Sequence, residues 1–511
     1  MKIQNKIFSK IIDIKNIKQI SNKLNKLGKK IVLCHGDFDI LHTGHINYLY
    51  EAKKFGDCLI VSVTAGKFIN KGPGRPINDD NQRLFFLANL SIIDFVVLDQ
   101  NLDAVKIIQN IKPNFYVKGK DYYLRNKKDF YSKSLQKEKQ TVERCGGKLI
   151  FTTNETRSSS NIINNLFLSS EVRKKIDQIK KYYNYEKFLE DIESFKNLKI
   201  LVIGETIVDK YIYTKPLSKP SKENIIAADF EKELYSLGGV FTAYKAFSAF
   251  SNKVDCLTLV SEATKKIFKK ADDFSKNKKT IFKSLNNTIK TRYVEKSHKN
   301  LKKLFEVYKN NFLLTDKNNE KKIIKYLNSN LKNYDLVLVN DYGHGFFTTK
   351  IIDLLIKKSK FLSVNTQINA GNKGFNLITK YKKADFYCID EMEAMRAVSR
   401  NELKTSSMIK ELHKKVKAKY ICITLGTRGS CIKHKNSKPI FSPALTNSVV
   451  DTISAGDIFF VITSIFLIKN KLIDVSTFLG NVGGALAVNK ENSSSFTSKE
   501  LFMSYVDTLF K

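Results

Sequence analysis

Short apolar runs alternate with helix-length amphipathic stretches along most of this 511-residue chain, and that alternation limits the fold more than any other feature. Between residues 30 and 168 the runs "KIVLCH", "DCLIVSVT", "DFVVL", "NFYVKG" and "GGKLIFT" are separated by helical stretches such as "HINYLYEAKKFG" and "NQRLFFLANLS". Strands joined through single helices need crossover connections, so the expected sheet is parallel, with helices on both faces. "KGPGRPIN" is a loop forced by Gly72, Pro73, Gly74 and Pro76, and Asp79 or Asp80 caps the helix after it. A second alternation starts at "NLKILVIGETIVDKYIY" and runs to the end. The charged stretch between the two, 169–196, reads as a helical linker. The expectation is an α/β chain of two doubly wound domains, 28–168 and 197–511, as its length allows.

Bulk properties narrow the setting. Hydrophobic residues make up 42%, enough for buried cores. "IFFVITSIFLI" (458–468) is too short to span a bilayer and suits a buried helix. The N-terminus mixes charges with apolar residues and lacks the apolar core of a signal peptide, so a soluble cytoplasmic protein without a membrane partner is expected. Seven cysteines are scattered with no C-x-x-C pair, which reads as free thiols in a reducing compartment. The net charge of +38 comes from 88 Lys and Arg against 50 Asp and Glu. The lysines are spread evenly, so the field suits small anionic substrates and not nucleic acid. The lysine-rich stretch 261–283 reads as a solvated helix or loop. No G-K-[ST] occurs, which excludes a Walker loop.

One junction concentrates chemistry. "GDFDILHTGH" (36–45) joins the first strand to the first helix and holds two of the chain's seven histidines. Spaced three apart, His42 and His45 point the same way, at the carboxyl end of a strand where open α/β sheets bind ligands. The helix N-terminus offers unpaired N–H groups, and Gly44 leaves room for phosphate. These features suit nucleotide phosphates. Two zinc ligands without a third, or incidental surface residues, are the alternatives the residues alone leave open.

The string resembles the G-x-F-D-x-x-H-x-G-H signature of cytidylyltransferase-like nucleotidyltransferases. "NKGPGRPINDDNQRLFFLANLSIIDFVVL", "IKPNFYVKGKDY" and "GGKLIFTTNETRSSSNIINNL" resemble the adenylyltransferase part of bacterial ADP-heptose synthesis enzymes. The resemblance implies a Rossmann-like domain that transfers a nucleotidyl group from ATP or CTP to a sugar phosphate. His42 and His45 would stabilise the phosphates in flight, and Gly36, Asp37 and Phe38 would lie against the nucleotide. Lys71 and Arg75 would face phosphate, and Lys118, Gly119 and Asp121 would line the base or sugar pocket. Ser158, Ser159 and Ser160 would cap the last helix and bind the triphosphate. The charged stretch 123–143 is longer than expected for the heptose enzymes.

The second half has its own junction. In "VVDTISAGDIFFVITSIFLI" (449–468) a small-residue turn opens an apolar helix, with Ser454, Ala455 and Gly456 exposing amides and Asp457 beside them. A carboxylate there can take a hydroxyl proton as that oxygen attacks a γ-phosphate, or it can simply favour the helix dipole. The string resembles the D-T-x-G-A-G-D signature of ribokinase/PfkB carbohydrate kinases. By that resemblance Asp209, Gly238 and Gly239 would bind sugar, "TIKTRYVE" matches a K-T-R strand, and "DYGHG" (341–345) matches D-Y-x-x-G. Asp390, Glu393, Thr424, Gly426, Gly429, Ser454, Ala455 and Gly456 would meet nucleotide phosphate, with Mg²⁺ as cofactor. Glu205, Thr242, Ser454 and "NTQ" (365–367) depart from the family pattern.

Together the halves resemble the heptose kinase/adenylyltransferase in reversed domain order. They imply a two-activity enzyme of nucleotide-sugar synthesis, taking a nucleoside triphosphate and a sugar phosphate, and leave a homodimer open. A second reading keeps the chemistry in the first half and makes the second a sugar- or nucleotide-binding regulatory module.

Overall fold

A computed structural model describes residues 7–69, 71–72, 75–101, 103–120, 130–153, 168–217, 225–268, 281–284, 286–297, 300–309, 315–400, 404–446, 449–469, 472–489 and 498–510. The chain divides into two compact units, in the main residues 1–168 and 169–506.

The first unit is built on six strands: β1 (Ile11–Ile12), β2 (Ile31–Gly36), β3 (Cys58–Thr64), β4 (Phe95–Asp99), β5 (Phe115–Lys118) and β6 (Lys148–Phe151). Their order is β1-β4-β3-β2-β5-β6, and every pairing is parallel. Alternation along β2 divides the core. Val32 and Cys34 pack with Tyr48, Leu49 and Leu87 on one face, and Ile31 and Leu33 pack with Ile107, Ile108 and Val142 on the other. Both faces are covered by helices, which makes the unit doubly wound and Rossmann-like. The sheet also reaches upstream of residue 28, through β1 and the helix Ile14–Lys26, because a two-residue strand shows no periodicity a sequence could reveal. From β2 the chain winds one way to β3 and β4 and later the other way to β5 and β6. The β2 carboxyl end therefore lies at the reversal, where a crevice opens.

In the second unit one segment that reads as a single strand becomes two. β7 (Lys199–Gly204) stays in the main sheet; one residue later β8 (Thr206–Pro216) joins another. The main sheet adds β10 (Lys253–Ser261), β11 (Ile281–Ser284), β14 (Leu336–Asp341), β15 (Leu362–Thr366), β16 (Lys383–Asp390), β17 (Lys417–Thr424), β18 (Ser430–His434) and β19 (Ile440–Ser442). Its order is β11-β10-β7-β14-β15-β16-β17-β18-β19, and every pairing is parallel except the last two, β17 with β18 and β18 with β19. The second sheet pairs β8 with β9 (Ala228–Gly239), β12 (Thr288–Ser297) and β13 (Asn300–Lys309), in the order β13-β12-β8-β9. The winding reverses between β7 and β14, so Glu205 and Asp341 mark this unit's crevice.

The helix Ala455–Lys469 is buried from Asp457 to Leu467, as its all-round apolar sequence requires. No helix among the described residues is long and apolar enough to cross a membrane. The segment 169–196 forms two helices, Ser170–Lys180 and Tyr185–Ser194, capped by Ser169 and Asn184. Phe188, fully buried, stacks 6.1 Å from Phe466 and lies 5.9 Å from Phe502. Phe188→Ala is expected to cost the second unit about 3–5 kcal/mol, read as a lower urea midpoint at unchanged slope; a surface-like loss below about 0.5 kcal/mol would contradict this packing.

Candidate functional site

In the first unit the β2 end turns sharply into a helix. Phe38 adopts φ 48° and is buried, and Gly36 lets its ring lie close to the strand end. His42 occupies the N-cap position of the helix Thr43–Lys53, so only His45 is inside it. The two imidazoles stack with centroids 4.0 Å apart, and Phe38 lies 5.3 Å from His45. Burial and the neighbouring His42 hold His45 down to about 3, and burial lowers His42 as well. Both rings are therefore neutral at pH 7. A neutral imidazole still donates one N–H, and a bound polyphosphate would favour the cationic form.

Around them the loop is pinned. Arg83, fully buried, donates to Asp37 O at 2.6 Å and Thr64 O at 2.8 Å and pairs with Asp80 at 2.6 Å. Asp39 accepts from the N–H groups of Ile77 and Asn78 at 2.8 and 3.0 Å, tying the histidine loop to the segment after Arg75. Asp37 pairs with Lys71 at 2.8 Å. Burial acts to raise the Asp37 carboxyl, but the Lys71 ammonium, together with a hydrogen bond from Thr64 and the nearby His35, holds it at about 2. Gly36, Asp37, Phe38, Lys71, His42 and His45 are thus brought together, with Arg75 half-buried in the Lys71 loop. Lys118 is buried and meets Glu138 at 3.3 Å, where Tyr116 also donates, at 2.9 Å. Asp121, Ser158, Ser159 and Ser160 lie outside the described residues. Arg83 and Glu138 escaped sequence reading; a buried Arg on an otherwise ordinary helix leaves no local signal.

In the second unit Asp457 is 7% exposed. Its Oδ1 accepts from Asn340 Nδ2 at 3.2 Å, the Tyr342 hydroxyl at 3.2 Å and Gln367 Nε2 at 2.9 Å. Burial pushes its carboxyl up to about 7 against those donors and the charge of Lys290. Asp209 forms a buried ion pair with Arg292, which also meets Glu306 at 3.0 Å. Gly238 has no room for a Cβ because the Asp209 carboxylate fills that place, and Gly239 turns at φ 60° against Glu205 O. The K-T-R strand is β12, which brings Lys290 and Arg292 alongside Asp209.

The departures from the family pattern have distinct physical roles. Glu205 accepts from the N–H groups of Tyr342 and His344 at 2.9 and 3.1 Å, and so clamps the "DYGHG" turn. Burial, then the Asp341 charge, pushes its carboxyl up to about 7. Thr242 is buried with its Oγ1 unpartnered. Ser454 takes φ 68°, a conformation that favours glycine. Gln367 supports Asp457, a role that sequence reading missed because only a departure marked the position.

The remaining residues are those that the resemblance assigns to nucleotide phosphate. Asp390 and Glu393 form a capping box on the helix Glu391–Val398, and Glu393 also accepts from Ile368 N at 2.8 Å. Thr424 ends β17, and Gly426 and Gly429 turn at φ 59° and 97°. A Cβ at Gly426 or Gly456 would meet nothing within 4 Å, so both face open space, and Gly456 does so from the first turn of the helix Ala455–Lys469. Among the described residues no group of three or more His, Cys, Asp or Glu converges as a metal cage.

Residues 33–165 match the cytidylyltransferase-like family, and residues 272–500 match the pfkB family of carbohydrate kinases. The chain carries a cytidylyltransferase-like domain followed by a PfkB-like domain. Its sequence is similar to the bifunctional protein HldE of Aliarcobacter butzleri, 39% identical over 142 residues, and to that of Blochmanniella pennsylvanica, 38% over 156. These matches cover 27% and 30% of this chain and span only 29% and 31% of the relatives' lengths. Among solved structures, the Arabidopsis thaliana ribokinase complexed with ribose and ATP aligns at TM-score 0.46 and 14% identity, over 62% of this chain and 99% of its own.

Ser454→Gly is expected to relieve the left-handed strain and raise stability by up to about 1 kcal/mol, whereas Ser454→Val lowers it. Thermal unfolding of both variants checks this; a Gly variant less stable than Ser would contradict it.

Proposed function

We propose that the chain makes a nucleotide-activated sugar in two steps: ATP-dependent phosphorylation of a sugar or sugar phosphate in the PfkB-like domain, and nucleotidyl transfer from ATP or CTP to a sugar 1-phosphate, a heptose 1-phosphate being the model substrate, in the first domain. The observation that carries the proposal is the support of Asp457: three donors on one oxygen of a carboxylate placed in the first turn of a buried helix. That arrangement suits a general base, and the open Gly456 beside it suits phosphate.

In the phosphorylation step, Asp457 takes the proton of the acceptor hydroxyl as that oxygen attacks the γ-phosphorus, and ADP leaves. Amides at the start of the helix Ala455–Lys469 offset charge on the transferring group. In the nucleotidyl step, a sugar phosphate oxygen attacks the α-phosphorus and pyrophosphate leaves, while His42 and His45 donate to the phosphates. Magnesium enters with each triphosphate as part of the substrate. The alternative, a regulatory second domain, is disfavoured by the intact hydrogen bonding of Asp457; a site that had lost turnover would have no need to hold it.

The activities are expected to separate by mutation. His42→Ala and His45→Ala lower pyrophosphate release by about 10²–10³-fold and leave ADP release near wild type. Asp457→Asn does the reverse, and wild-type phosphorylation rises with pH through about 7 as Asp457 ionises. Mass spectrometry of products formed from ATP, CTP and a panel of sugars and sugar phosphates tests the whole reading. Absence of any phosphorylated or nucleotide-linked sugar would overturn it.

A further inference from the structure

The departure "NTQ" (365–367) ends β15 and opens the loop "INAGNKGFN" (368–376), and hydrogen bonds of this stretch converge on the base. Gln367 donates to Asp457 Oδ1 at 2.9 Å. Its backbone is held from several sides. Gln367 N donates to Asp341 O at 2.8 Å, its carbonyl accepts from Asn372 and Asn376 at 2.7 and 3.3 Å, and the next N–H goes to Glu393 at 2.8 Å. The second donor, Tyr342, is tied to the same loop. Its carbonyl accepts from Asn369 and Asn372 at 2.9 and 3.0 Å, while Glu205 holds its N–H. Asn372 therefore bridges the carbonyls of Tyr342 and Gln367, two of the three residues that donate to Asp457.

A carboxylate offers two oxygens, and here three donors load one of them. We infer that Gln367 is a positioning residue for phosphoryl transfer: with Tyr342 it fixes the rotation of the Asp457 carboxylate so that Oδ2 is presented to the acceptor hydroxyl, and the asparagine-rich loop 367–376 serves to hold both donors in register. The inference rests on Asp457 acting as the base. The amide suits this task. A cation at 367 would fix the carboxylate equally well but would draw its proton affinity down, whereas a neutral donor orients it and leaves it basic. The charged and titratable groups around Asp457 are Lys290 from β12, Asp209 from β8, Tyr342 after β14, and Glu393 from the helix Glu391–Val398.

The test uses the full chain with the acceptor identified by the product screen. Gln367→Leu is expected to lower kcat about tenfold or more with KM for ATP within about twofold. It should also move the acid limb of the kcat profile to higher pH, because a donor to the ionised carboxylate is lost. Gln367→Lys moves that limb to lower pH than Gln367→Leu does, and Asn372→Ala follows Gln367→Leu in direction. Thermal unfolding identifies any variant that fails to fold. A carbon-detected titration of Asp457, assigned with Asp457→Asn, gives a readout apart from turnover: its pKa rises in Gln367→Leu. Wild-type kcat and an unmoved acid limb in Gln367→Leu would overturn this inference alone. A wild type inert with every acceptor would overturn the kinase reading first, and the inference with it.

Discussion

Placing a carboxylate within a protein interior raises the cost of its charge, and the second unit meets that cost at Asp457 with hydrogen bonds and not with a salt bridge. Three donors of no net charge, Asn340, Tyr342 and Gln367, meet the same oxygen. The consequence is a group that ionises near neutrality and keeps one orientation. Much of the surrounding structure follows from that need. Asn340 comes from β14, Tyr342 from the turn Glu205 clamps, and Gln367 from a loop fastened by asparagines. The three donors arrive from three segments, so the site exists only when the sheet has closed.

Both units use the same topological device for different chemistry. Each parallel sheet reverses its winding direction beside a central strand, β2 in one and β7 in the other, and the crevice left there receives a small-residue turn or a helix start. The first places two neutral, stacked imidazoles beside an Asp37–Lys71 pair. The second places a carboxylate, held by neutral donors, beside a glycine that faces open space. Donor groups suit charge that is already present on a polyphosphate; a base suits a proton that must leave an attacking hydroxyl.

Much of this was legible in the amino-acid order. The strand–helix alternation gives the parallel strand pairs at the heart of both main sheets, and the histidine pair at a strand-to-helix junction and Asp457 in the first turn of a helix are legible because such motifs are local. Long-range effects were not legible. Nothing in "VIGETIVD" shows that Glu205 alone separates two sheets, since β-propensity is equal on both sides. The K-T-R strand gave no sign that Arg292 would close on Asp209, which depends on the pairing of β12 with β8. Gln367 and Glu205 read as lost consensus residues because their partners lie far along the chain. Ser454 shows the converse: the substitution is visible in the sequence, while its φ of 68° is visible only in the fold.

The orientation of the Asp457 carboxylate bears most directly on how the second unit works. A crystal structure of the full chain with an unreactive ATP analogue and the phosphate-accepting sugar would reveal it. The reacting hydroxyl should lie about 2.6–3.2 Å from Oδ2, with Gln367 still on Oδ1 and the γ-phosphate over the start of the helix Ala455–Lys469. A sugar hydroxyl seated on Oδ1 in place of Gln367, or a γ-phosphate remote from that helix, would contradict it.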